Sequence, residues 1–145
     1  MALPLPTNIT TASSNHVAIH NDIHAVVNTV VVDSVGTFAQ EGTLVAGTGV
    51  SRFRFPFAAS LAGVSAAVGT APTGSSILLN VRKNGTTLFS GAERPEILAA
   101  ANATTAEMVP ASAAIVVGDY LTVDIDQIGT TAAGSDLTVF IRYRR

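Results

Sequence analysis

The sequence predicts a mainly β protein: an antiparallel β-sandwich or jelly roll with an N-terminal extended arm and one α-helix. Three observations lead there. Apolar residues alternate with polar ones from Gly42 onward, Gly- and Pro-rich turn signals separate the alternating runs, and helical spacing occurs in one segment alone. The expected division is an arm over 1–12, a helix over 13–36 and a β-domain over 42–145.

Met1–Ala12 holds two prolines and several small polar residues with no periodicity, so it is expected to be ordered only against a partner. Ser13 or Ser14 can cap a helix that Gly36 ends. Within it Ile19, Ile23, Val26 and Val30 follow a 4-3-4 spacing, the seam of a coiled coil, and Val27 and Val31 widen the stripe. Valines give poor helix propensity, so burial against a partner must hold this helix. β-branched residues at both seam positions favour three or more strands, which makes Ile19, Ile23, Val26, Val27 and Val30 the expected interface of a homotrimer. A strand over Val26–Val32 is the competing assignment.

In the β-domain Phe53, Phe55 and Phe57 leave one face of a strand while Arg52 and Arg54 leave the other. Val64, Ala66 and Val68 share a face, as do Ile77, Leu79 and Val81. Asn84-Gly85, flanked by strand-like residues, signals a type I′ hairpin. Arg94–Ala114 is Ala-rich with prolines at 95 and 110, and reads as a long connection. Leu121, Val123 and Ile125 then alternate with Thr122, Asp124 and Asp126, and Leu137, Val139, Ile141 and Tyr143 form the last apolar face. About six to eight short strands result, with turn signals between them.

Charged residues make up 12% of the 145, against a usual share of roughly 25%. The formal net charge is −2 and Lys83 is the single lysine, so the basic surface that grips a phosphate backbone is missing and no nucleic-acid partner is expected. With no cysteine there is neither a disulfide nor a cysteine zinc site. The uncharged stretch Phe55–Val81 is long enough to span a bilayer, but its two prolines, three glycines and period-two alternation argue against a spanning helix, and no membrane partner is expected.

No Gly-x-Ser-x-Gly elbow, phosphate-binding loop or dinucleotide fingerprint is present, so no catalytic residue, enzymatic activity or cofactor is expected. Two metal candidates compete with plainer roles. His16, His20 and His24 would line one helical stripe, where a trimer could gather them around a metal. The plainer role is half-buried histidines at a helix interface. Asp124 and Asp126 leave one face of a strand, where Asp119 and Asp136 could join them around calcium. The plainer role there is the solvated face of a half-buried sheet. Arg142, Arg144 and Arg145 are expected in intersubunit or intrasheet ion pairs.

The run Gly118-Asp-Tyr-Leu-Thr-Val-Asp-Ile-Asp-Gln-Ile-Gly129, followed by Ala133–Val139, resembles the closing strands of small β-domains in tailed-bacteriophage virion proteins. Val68–Phe89 is similar to the central hairpin of those domains, and His16–Asn28 to N-terminal segments of minor tail and fibre-like proteins of phages infecting actinobacteria. The resemblance implies a virion surface component: a jelly-roll head carried on an anchoring arm and helix, most often a trimer. A capsid decoration or head-fibre protein, held to other virion proteins such as major capsid or tail proteins, is the first expectation. It would be made in the host cytoplasm and end on the virion surface. A minor tail or tail-tip protein whose sandwich binds cell-wall glycans is the alternative.

Overall fold

The computed structural model describes residues 33–145. Nine strands follow in order: β1 (Asp33–Thr43), β2 (Gly47–Arg54), β3 (Ala59–Thr70), β4 (Ile77–Lys83), β5 (Thr86–Thr87), β6 (Glu96–Ile97), β7 (Ala114–Ile115), β8 (Tyr120–Gln127) and β9 (Ser135–Arg144). Every strand pairing is antiparallel, and among the described residues there is no helix.

The strands form two sheets. One runs β1-β9-β3-β7; the other runs β2-β8-β4-β5, with β6 also on β4. Sequence neighbours β1 and β2, like β3 and β4, therefore lie in different sheets, and the first and last strands are adjacent. The two sheets share a single core. Val64, Ala66, Val68, Leu137, Val139 and Ile141 come from the first sheet, and Ile77, Leu79, Val81, Leu121, Val123 and Ile125 from the second. Each set comes from alternate positions of its strand, because burying one face of a pleated strand requires a period of two. Phe55 is fully buried beside Phe53, Phe57 and Tyr143, and all three pairs meet edge to face, the arrangement that ring quadrupoles favour.

Asn84 and Gly85 both take positive φ (51° and 85°), the type I′ turn that matches the twist of the flanking strands β4 and β5. The 102–108 connection lies along the edge of β3 that β9 leaves free, exchanging backbone bonds between Val64 and Met108 (2.8 Å each way). It covers an edge that would otherwise be open to pairing.

Two assignments change. The helix expected over 13–36 does not reach Gly36, because Asp33–Gly36 are the first residues of β1, paired with Ile141–Arg144 of β9. A Val-rich run satisfies strand and helix alike, and long-range pairing with β9 settles these four residues. Strand structure is accordingly present from Asp33, ahead of the Gly42 boundary expected. The remainder of that helix and the arm over 1–12 lie outside the described residues. So do Ile19, Ile23, Val26, Val27 and Val30 of the expected seam, and His16, His20 and His24.

Candidate interaction surfaces

The outward faces of the two sheets differ in chemistry. On the β1-β9-β3 sheet, register places Thr37, Phe140 and Ser65 side by side, and Ala39, Thr138 and Ala67 next to them. Val35 is 57% exposed and Phe140 36%. This is a face of small uncharged side chains around one exposed aromatic ring. Its charges lie toward its two ends: Asp136 at one, and at the other Arg142, which holds Asp33 (2.9 Å) and the Glu107 carboxylate (3.0 Å from Nε), and Arg144, which donates to the same Asp33 (2.9 Å). The hydrogen bond from Arg144, then that from Arg142, holds Asp33 below the usual carboxylate range, against a smaller opposing effect of burial. Gly63 makes room for this cluster, since a Cβ there would collide with the Glu107 side chain. Arg142 and Arg144 thus form ion pairs within the chain, while Arg145 lies over the Phe57 ring at 4.4 Å.

The outward face of the other sheet is polar. Arg52 and Arg54 project from β2, Tyr120, Thr122, Asp124 and Asp126 from β8, and Asn80 and Arg82 from β4. Arg52 lies over the Tyr120 ring at 4.4 Å. Asp124 and Asp126 do leave the same face, as the strand period requires, but they meet different surroundings. Asp126 is exposed and takes Arg94 (2.7 Å). Asp124 is fully buried, although a solvated face was expected for both.

The cause of that burial is a bulge in β2. The register shifts between Gly47 and Ser51, and Gly49, at φ 63°, turns its N–H onto Asp124 Oδ1 at 2.7 Å. Arg82 donates to the other oxygen from β4. A carboxylate closed in by a guanidinium and a backbone N–H is satisfied as an anion, which is what its burial demands. Arginines therefore occupy both members of the calcium candidate. Among the described residues no group of three or more His, Asp or Glu comes together as a metal-ligand set.

The other two aspartates tie loops. Asp119 accepts from Val116 N (2.9 Å) and Asn84 Nδ2 (2.7 Å), while Asn84 Oδ1 accepts from Tyr120 N (3.0 Å). The Val116 N–H and then the Asn84 amide hold the Asp119 carboxyl below its ordinary range, with burial opposing. Asp136 accepts from Gly42 N (2.8 Å) and Ser135 Oγ (2.8 Å), which likewise lower its pKa. Sequence reasoning missed the Arg52–Tyr120 stack and the Asp33–Arg142–Glu107 cluster; the i, i+2 arginines of β2 were the available signal for the first.

Shallow hollows interrupt the surface of the described residues. One, of about 160 Å³, is lined by residues that include Arg94, Glu96, Leu98 and Met108. The second, about 260 Å³, lies among Arg54, Phe55, Pro56, Val117 and Gly118. Both are smaller than an ordinary small-molecule site of roughly 300–1,000 Å³. Among the described residues no helix is long and apolar enough to cross a membrane.

No protein-family model matches the chain, and no curated protein was found to match it. Among solved structures, it is similar to a chain of the cyanophage Pam1 capsid asymmetric unit, at 20% identity and a TM-score of 0.39, over 79% of this chain and 84% of that one.

Proposed function

We propose that the protein is a non-enzymatic structural component of a bacteriophage virion, a capsid decoration or head-fibre protein that acts as a homotrimer on the particle surface. In this reading the described domain is a jelly-roll head, and the arm and helix expected over 1–36, shortened to end before β1, anchor it to other virion proteins. No cofactor takes part. The resemblance of Gly118–Gly129 and Val68–Phe89 to virion β-domains, and of His16–Asn28 to N-terminal segments of minor tail and fibre-like proteins, supports the setting. The strand order supports the architecture: the chain crosses between the sheets so that β1, β9, β3 and β7 fall in one and β2, β8, β4, β5 and β6 in the other. With β6 set aside, that order agrees with the double Greek-key pattern of viral shell proteins and lectins, which supports the jelly-roll reading.

The observation that carries the reading is the outward face of the β1-β9-β3 sheet. Its uncharged, small-residue centre around Phe140 suits burial against another protein, with the charged side chains confined to its ends. The glycan-binding alternative needs an aromatic platform. Arg52 occupies one face of Tyr120, and Phe140, between Thr37 and Ser65, is a single exposed ring among the described residues.

Gold-labelled antibody on whole particles tests the proposal. Label over the head is the expected result. Label confined to the tail tip transfers support to the glycan-binding alternative, and unlabelled particles overturn both.

A further inference from the structure

We infer that successive copies of this chain join head to tail, with the β2 margin of one polar sheet added to the β6 margin of the next. The inference deepens the homo-oligomer part of the proposed function and rests on it.

β2 and β6 lie at opposite margins of the same sheet, and neither has a further strand beyond it among the described residues. The margins carry opposite charge. Arg52 and Arg54 are exposed on β2, and neither belongs to an ion pair among the described residues. Glu93 is exposed and Glu96 half-buried at the β6 margin, and they too stand outside those ion pairs. The intervening Arg94 is engaged by Asp126. An exposed apolar residue accompanies each charged set: Val50 (42% exposed) precedes the arginines, and Leu98 (48%) follows the glutamates.

Direction and facing agree. Each step β2-β8-β4-β6 is antiparallel, so β2 and β6 run in opposite senses, and a copy kept in the same orientation meets its neighbour in an antiparallel pairing. Glu96 stands opposite Leu78, one residue from the buried Ile77–Ile97 pair, which puts it on the outward face. Arg52 and Arg54 lie on that face as well. Setting Val50 against Leu98 in such a pairing brings Arg52 opposite Glu96, and Arg54 opposite Arg94, whose charge Asp126 already engages, beside Glu93. A contact between two different surfaces is heterologous, and it produces a ring when the rotation closes. The sheet would then continue from copy to copy, satisfying the open backbone edge of β2.

Sedimentation of the full chain at micromolar concentration tests this. Arg52→Glu with Arg54→Glu, and separately Glu93→Lys with Glu96→Lys, are each expected to weaken association about tenfold or more. The fourfold variant that exchanges both charge sets is expected to recover it. Should the β2 double variant fail to fold by circular dichroism, Glu96→Lys alone, which sets a lysine opposite Arg52, is read instead. Raising salt from about 50 to 500 mM should weaken wild-type association, because these charges sit at the surface. A wild-type monomer, association unchanged in the folded charge variants, or a folded fourfold variant that stays monomeric each overturns the inference. A monomer that still labels the phage head overturns this contact while leaving the virion reading intact.

Discussion

At the residue scale, Asp124 and Asp126 show how little a sequence position says about cost. Both belong to β8 and both meet an arginine, yet one is sealed beneath the β2 bulge and the other faces water. Asp124→Asn leaves Arg82 and the Gly49 N–H facing a neutral amide, and it is expected to lower stability by about 2–3 kcal/mol. Asp126→Asn should fall within about 0.5 kcal/mol of wild type, as exposed pairs do. Urea denaturation of both variants checks the contrast. The pairing that buries Asp124 joins residues 42 apart in sequence, together with a bulge that no periodicity encodes. The alternation of β8 was therefore legible and the fate of its polar face was not. Asn84-Gly85, a signal contained in two residues, was legible because the turn needs positive φ at both.

At the element scale, β1 is the strand most dependent on distant partners. Asp33 meets Arg144 across 111 residues, and Arg142 ties both β1 and the 102–108 connection to β9. Replacing Arg142 with Met removes both ties while keeping an apolar stem. Hydrogen exchange is expected to quicken at 33–37 and 104–108 and to stay unchanged in β4 and β8. Uniform acceleration in all strands would contradict this local role. Such pairings explain why the start of β1 was misread: nothing within Asp33–Gly36 announces a partner at the far end of the chain. The expected seam is a separate matter. Ile23→Asp should shift the assembly toward monomer by sedimentation, since each copy would bring a charge into the shared stripe. An unchanged mass would show that the stripe packs elsewhere.

At the scale of the whole molecule, the same carboxylates set the acid limit of stability. Asp33, Asp119 and Asp136 are all held below their ordinary range in the folded chain. A carboxyl with a lowered folded pKa stabilises above its unfolded value near 4 and loses that contribution as pH falls through the folded value. The melting temperature should therefore decline below about pH 4, and Asp119→Asn should flatten that decline relative to wild type. Equal slopes would remove Asp119 from the account. Two antiparallel sheets and their core residues could be read from alternation, whereas the interleaved strand order could not, because each ladder joins segments far apart in sequence.

The whole-molecule claim is that this sandwich is assembled into a particle. Quantitative mass spectrometry of gradient-purified virions measures that most directly. The account predicts the 14.8 kDa chain in a fixed, reproducible ratio to the major shell protein across preparations. A level that varies between preparations and falls with each round of purification, as a host contaminant does, would contradict it.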